Sequence, residues 1–226
     1  MGIGSMVGKR IAPRIQKSAP HVSAGFVRET LSRAIHGIGP LPPAATSAQK
    51  KLDEEHGNVD RAVRSVISRH VKYAGAEGFV TNIGGLLTVM MTLPANVAGL
   101  AAIQCRMVAA IAHLRGFDLE DPRVRNAIIA CLIDEDEVPK LVRKKRLPDT
   151  PGGLANATSH DPEVERTVSA EVAAELIARA TGRRLASMVG RRMPLIGGVV
   201  GMTADAWSTW QVGRYAEREL RPRTAR

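Results

Sequence analysis

Aromatic residues are scarce in this chain. Its 226 residues include three Phe, two Tyr and two Trp, and Ala, Val, Leu and Ile fill most apolar positions. Small and branched aliphatic side chains suit closely packed helices better than a β-sandwich, so an all-α fold is favoured. The low aromatic content also argues against single-stranded nucleic-acid binding, which uses aromatic side chains interleaved with basic ones.

Cysteines and catalytic motifs are also sparse. The two cysteines, Cys105 and Cys131, have apolar helical neighbours and indicate small core residues, neither a disulfide framework nor a metal site. No Gly-rich phosphate loop, HExxH, CxxC or nucleophile elbow occurs. The spacing Asp53-x-x-His56 falls on a polar helix, unlike the ligand motifs of a di-iron bundle. We therefore predict no catalytic residue, metal ion or cofactor.

Charge is missing from one long stretch. Residues 78–105 are uncharged, in a chain that is 24% charged. The stretch is long enough for one membrane span of about 20 residues, but a glycine pair and Pro94 interrupt it. We predict two apolar helices, at about 80–92 and 95–115. This central hairpin is either the heart of a helical core or a hairpin that enters lipid, and the sequence leaves both possibilities open.

The second of these helices has two polar edges. Arg106 and His113 lie on one edge, and Gln104 and Arg115 lie on the opposite edge. Thin polar edges with apolar surface on both sides are typical of a helix that is contacted from two directions. We therefore predict that 95–115 is the central helix of a multi-helix bundle.

The net charge of +10 is concentrated at the two ends of the chain. Residues 1–50 carry a net charge of +6 and residues 179–226 a net charge of +7, whereas 51–178 carries −3. Two basic ends suit an anionic partner, either phospholipid headgroups or nucleic acid. Ordinary solubility is the alternative explanation.

Four N-cap signals mark helix starts, at Ser23, Asn58, Asp121 and Asp161. The helix after Ser23 has one apolar face without large aromatics, so we expect it to dock on the bundle and not to lie on a membrane. The helix after Asp121 is predicted to run to Leu132.

The predicted organisation is one helical domain over 23–220. A flexible basic arm at 1–22 precedes it, and a basic tail at 221–226 follows it. The turn-rich segment 148–160 is predicted to be a surface loop or a lid. Because the first 19 residues lack a continuous apolar core, we expect no secretory signal and a cytoplasmic location.

The last predicted helix begins at Pro194 and runs for about 25 residues. Its first two turns are uncharged and rich in glycine, and Trp207, Trp210 and Tyr215 then follow within nine residues. Aromatics at the end of an apolar helix, followed by arginines, are typical of the interfacial belt of a membrane element. Packing inside a bundle would explain the same residues.

A set of polar residues lies within the apolar helices: His70, Asn82, Asn96, Arg106 and His113. Such residues either bridge neighbouring helices through hydrogen bonds or line a site. We favour the bridging interpretation. Convergence of the last four on one pocket would favour an enzyme instead.

Three segments, 35–44, 69–125 and 194–220, resemble the EcsC family of bacterial proteins. The middle segment, which begins RHVKYAGAEGF, is the most specific. The resemblance implies a largely helical fold. It also implies a membrane-associated accessory role, because the family is named after a protein encoded alongside an ABC transporter. The family offers no settled reaction, so no catalytic residue is transferred to this chain.

The leading hypothesis is a non-enzymatic protein that associates peripherally or monotopically with the inner face of the cell membrane. Its partners would be an anionic membrane surface or a lipid, and a membrane transporter. The predicted membrane or hydrophobic-ligand face consists of Leu86, Leu87, Met90, Met91, Leu93, Pro94, Leu195, Ile196, Val199, Trp207 and Trp210. The alternatives are an enzyme acting on a lipid or isoprenoid substrate, and nucleic-acid binding through the basic ends.

Overall fold

The structure, a computed structural model, describes residues 23–37, 41–75, 95–180 and 204–221. Within these ranges the chain forms nine α-helices and no β-strand, which confirms the all-α prediction. The helices are α1 (Ala24–His36), α2 (Ala44–Glu54), α3 (Val59–Gly75), α4 (Ala95–Leu114), α5 (Pro122–Ala130), α6 (Val138–Arg143), α7 (Pro151–Ala155), α8 (Pro162–Ala180) and α9 (Ala204–Glu219).

The four predicted helix starts are confirmed. At each one a side-chain oxygen accepts a backbone N–H of the first turn, which the helix itself leaves unsatisfied. Ser23 accepts from the N–H of Phe26 at 3.1 Å, and Asn58 accepts from the N–H of Arg61 at 3.0 Å. Asp121 accepts from the N–H of Arg123 at 2.8 Å, and Asp161 accepts from the N–H of Glu163 at 2.8 Å. Local sequence therefore determines where these helices begin.

Helix α4 is the centre of the bundle, as predicted. α1, α2, α3 and α9 pack around it, with further contacts from α5 and α8. The stretch Val97–Leu114 is long and apolar enough to cross a membrane, and 83% of it is buried inside the protein. Burial in the core therefore accounts for the high hydropathy of this stretch, which is not evidence for or against a membrane span. The other predicted helix of the hairpin, at 80–92, lies outside the described residues.

The apolar face of α1 docks on this bundle. Val27, Leu31 and Ile35 are buried, and Arg28 forms an ion pair with Glu165 of α8. The expectation that this helix packs against the body of the protein is confirmed.

Helix α9 approaches α3 and α4 closely at Gly213. A Cβ atom at this position would lie 2.9 Å from Cγ2 of Ile67 and 3.1 Å from the sulfur of Met107. Real Cβ atoms do not approach other side chains so closely, so a larger residue would push the three helices apart. This contact fixes α9 against the centre of the bundle.

Two local predictions were wrong, and one helix was missed. The helix after Asp121 ends at Ala130, two residues before Leu132, and α6 was not predicted at all. The predicted loop 148–160 contains the short helix α7, in which the N–H of Gly152 donates to a carboxylate oxygen of Glu219 at 2.9 Å. The partner is 67 positions away, so the local sequence gives no sign of it.

Candidate functional site

One residue of α4, Gln104, joins the end of α8 to the beginning of α9. Its amide nitrogen donates to the hydroxyls of Ser208 at 3.2 Å and Thr209 at 3.4 Å. Its amide oxygen accepts from a guanidinium N–H of Arg179 at 3.1 Å. Because Gln104 is fully buried, these bonds satisfy polar atoms that water does not reach. The last turn of α8 and the first turns of α9 therefore meet beside α4.

Helix α3 ends at the same end of the bundle, where α8 ends and α9 begins. Arg115, just after α4, pairs with Asp60 at the beginning of α3 with an N–O distance of 2.9 Å. Farther back along α4, Arg106 lies within electrostatic range of His70. The two helices are therefore antiparallel, and Gly75 at the end of α3 lies towards the beginning of α4.

The segments 76–94 and 181–203 join the bundle at this end, which we call the tryptophan end. Both are outside the described residues. The first contains most of the uncharged stretch 78–105, and the second ends in the uncharged residues 193–203. Each of the two segments that join the bundle at this end thus contains an uncharged stretch.

A stacked pair of tryptophans marks this end. The rings of Trp207 and Trp210, in the first two turns of α9, have centroids 5.0 Å apart and an angle of 22° between their planes. Trp210 is 40% exposed and is the only large hydrophobic residue so exposed within the described part of the chain. A tryptophan that a neighbour holds in place while one face remains open is a feature of binding surfaces. The sequence had predicted both residues for a membrane or ligand face.

Most of the predicted face lies outside the described residues. These positions are Leu86, Leu87, Met90, Met91, Leu93, Pro94, Leu195, Ile196 and Val199, together with the polar candidate Asn82. The backbone of Asn96 belongs to α4, but its side chain is outside the description as well. The predictions for these residues stay predictions.

His70 is a neutral core histidine. It is 5% exposed, and its Nδ1 donates to the carbonyl oxygen of Val66 at 2.8 Å, which places the proton on Nδ1. Its Nε2 has no hydrogen-bond partner within the described residues. Burial lowers the pKa of His70 to about 4, and the nearby Arg106 and Arg69 lower the pKa in the same direction. His70 therefore has the structural position that the sequence favoured.

Arg106 bridges α4 to the chain between α1 and α2. Arg106 is 8% exposed, and its guanidinium donates to the carbonyl oxygen of Pro42, to the hydroxyl of Ser47 at 2.7 Å and, at 3.5 Å, to the carbonyl oxygen of Ala34. All three acceptors are neutral. Burial accordingly lowers the pKa of Arg106. The arginine thus links α4 to the connector 41–43 and to the ends of α1 and α2 beside it.

His113 lies on the same edge of α4 but in different surroundings. It contributes to a shallow surface groove with Thr46, Gln49 and Asp53 of α2, whereas Arg106 is buried and bonded to backbone. The structure thus does not bring these two residues into a common pocket. The convergence that would favour an enzyme is not present for the two members of the set whose side chains are described.

The two cysteines are core residues, as predicted. Cys105 and Cys131 are free and buried, and burial raises the pKa of both thiols. Within the described ranges, no group of three or more His, Cys, Asp or Glu side chains is arranged to hold a metal ion.

The relationship of the chain to known proteins is clear at the level of the family. The family model described as "EcsC protein family" matches residues 9–224, nearly the whole chain. The chain therefore belongs to the EcsC family, and the resemblance seen in the sequence is confirmed. Searches of curated proteins and of solved structures find no match.

Proposed function

We propose that this EcsC family protein is a non-enzymatic, peripheral membrane protein that binds an anionic lipid surface with its tryptophan end. The observation on which this rests is the stacked pair Trp207–Trp210, with Trp210 exposed in the first two turns of α9. Indole rings have an apolar body and a polar N–H, and they favour the interface between lipid headgroups and hydrocarbon.

The charge of the segment that precedes α9 in the sequence suits an anionic surface. The segment 181–203 contains four arginines and no acidic residue, and it joins the bundle directly before the tryptophans. Each Lys or Arg near an anionic leaflet contributes about 1 kcal/mol, so these four together would hold the protein at the membrane. Aromatic insertion and charge attraction would thus act at the same end of the molecule.

The proposed location and the proposed protein partner are those that the family resemblance implies. A protein held in this way would lie at the inner face of the cell membrane, and a membrane transporter is its candidate protein partner. A lipid or another hydrophobic ligand would occupy the same apolar surface.

Replacing Trp210 by Ala should lower the fraction of protein that floats with vesicles containing phosphatidylglycerol. We expect the partition coefficient to fall about tenfold, equivalent to about 1.4 kcal/mol, because the side chain that enters the interface is removed. The measurement is flotation at low salt, with vesicles of phosphatidylcholine alone as the neutral reference.

The matched control is Gln211→Ala, which removes the exposed neighbour of Trp210 on the same helix. This variant should float as the wild type does. If the wild-type protein shows no vesicle-bound fraction at low salt, or if both variants float like the wild type, the tryptophan end is not a membrane-binding surface.

A further inference from the structure

Helices α2 and α3 enclose a surface groove of about 490 Å³, which we call the basic groove. Its walls contain five cationic side chains, two hydroxyls and one carboxylate. These residues are Lys51, Arg61, Arg64, Arg69, Lys72, Ser65, Ser68 and Glu55. The volume lies within the range of about 300–1,000 Å³ that is typical of small-ligand sites.

One face of α3 supplies six of the eight residues. Positions 61, 64, 65, 68, 69 and 72 follow the i, i+3, i+4 spacing, so neighbouring Cβ atoms lie about 5–6 Å apart. Both serines have cationic neighbours one turn away on this face. Like charges at such spacing repel one another and weaken the helix, and a bound anion would offset that repulsion.

The acidic residues nearest in sequence neutralise the groove only in part. Asp60 points to Arg115, at 2.9 Å, and Asp53 accepts from Gln49 at 3.0 Å on the other side of α2. Glu54 forms an ion pair with Lys51 and lies within electrostatic range of Arg69, so it offsets part of the positive charge of the groove. Glu55 is the carboxylate among the wall residues, so with Glu54 two carboxylates stand against five cations.

Three of the cations have no acidic partner at all. Within the described part of the chain, no carboxylate lies within ion-pair distance of Arg61, Arg64 or Lys72, and all three are exposed. Unpaired arginines side by side on one helix leave several N–H donors open towards the groove.

Arg69 is held in position by a neutral group. Its Nε donates to the hydroxyl of Tyr73, and its guanidinium carbon lies 5.5 Å from the centre of the Tyr73 ring. A ring and a hydroxyl orient the guanidinium without cancelling its charge. The remaining N–H groups of Arg69 thus stay available to an anion in a side chain that is already ordered.

The geometry points to a binding site for an anionic phosphate ester in the basic groove. Arginine forks match phosphate oxygens in pairs, and the hydroxyls of Ser65 and Ser68 add neutral donors within the same wall. A phosphate monoester offers close to two negative charges and three acceptor oxygens, which suits several cations better than a single carboxylate does.

The groove favours a phosphate ester over a nucleic acid. No aromatic side chain is among its wall residues, so nothing there stacks on a base. The phosphate group belongs either to a lipid headgroup or to a soluble ester. The walls of the groove include neither tryptophan, and α9 packs on a different face of α3, through Ile67. The site therefore stands whether or not the tryptophans bind a membrane.

The two sources are tested with the same chemical group, a phosphate monoester. Glycerol 3-phosphate presents it in soluble form, and vesicles containing phosphatidic acid present it as a lipid headgroup. The soluble ester is titrated by calorimetry. The vesicles are compared with phosphatidylglycerol vesicles of equal surface charge, in which the phosphate is a diester. We expect the double variant Arg61→Gln, Arg64→Gln to weaken binding of whichever source binds the wild type by about tenfold or more.

The control variant is Arg143→Gln, Lys144→Gln, which removes the same charge from exposed positions at the end of α6. It should bind as the wild type does. If the groove variant does not fold, Ser65→Ala and Lys72→Gln replace it, and each should weaken binding by a smaller factor.

Binding of glycerol 3-phosphate, or a preference for phosphatidic acid over phosphatidylglycerol, supports the site and identifies its source. The proposal is overturned if the protein neither binds glycerol 3-phosphate nor prefers phosphatidic acid. It is also overturned if the groove variant and the control variant bind equally well. Tighter binding of a DNA duplex that the groove variant abolishes would instead make the groove a nucleic-acid interface.

Discussion

Acidification from pH 7 to pH 4 should cost the folded protein about 3 kcal/mol through His70 alone. The folded state holds the pKa of this histidine at about 4, whereas its ordinary value is 6.5. Each pKa unit corresponds to about 1.4 kcal/mol, and the difference here is about two and a half units. Protonation of His70 is unfavourable in the folded protein, because the ring is buried and the charged neighbours Arg69 and Arg106 are both cations.

The sign of the effect follows from proton binding. Below pH 6.5 the unfolded chain takes up a proton on His70 and the folded protein does not, so the free energy of unfolding falls as the pH falls. The contribution of His70 is complete above pH 6.5 and is lost progressively towards pH 4. About 2 kcal/mol should be gone by pH 5, where most carboxylates are still ionised.

Urea unfolding at pH 7, 6 and 5 measures this effect in the wild type and in His70→Leu. The variant should lose less stability over this interval than the wild type, by about 2 kcal/mol. All other histidines are common to both proteins, so their contributions cancel in the comparison. Parallel loss of stability in the two proteins would show that His70 is not held neutral by burial.

Arg106→Leu should be equally damaging at neutral pH, with a loss of about 3 kcal/mol. The guanidinium donates to Pro42, Ser47 and Ala34, and hydrogen bonds from charged donors contribute about 1.5–3 kcal/mol each. The relief of a buried charge offsets part of that loss. Leucine would leave the buried carbonyl oxygen of Ala34 and the partly buried carbonyl oxygen of Pro42 without this donor, and would free the connector between α1 and α2.

The matched control is Arg143→Leu, an exposed arginine at the end of α6, which should change the free energy of unfolding by less than about 0.5 kcal/mol. Ser47→Ala removes one acceptor and should cost about 1 kcal/mol. In the double variant Arg106→Leu, Ser47→Ala the two costs should not add, because the shared bond is lost only once. Full additivity would contradict a direct bond between Arg106 and Ser47.

Local signals in the sequence predicted the helix starts and the centre of the bundle. Ser23, Asn58, Asp121 and Asp161 bond to amides two or three positions away, so the relevant physics lies within one turn. The two polar edges of α4 could also be predicted from the sequence. Gln104 indeed faces α8 and α9, and Arg106 faces α1 and α2.

Features that depend on distant partners were missed. Helix α7 contains two glycines and depends on Glu219, and the bond from Arg179 to Gln104 joins positions 75 apart. The basic groove was missed for a related reason. The cations of α3 follow the spacing of any solvent-exposed helix face, and only the placement of α2 beside them makes that face the wall of a groove.

The emission of the two tryptophans tests the central claim most directly. The chain contains no tryptophan besides Trp207 and Trp210, so intrinsic fluorescence reports on the tryptophan end without any label. Vesicles containing phosphatidylglycerol should shift the emission to shorter wavelength, brominated lipid should quench it, and added salt should reverse both effects. Emission that stays unchanged at saturating anionic lipid would contradict the account.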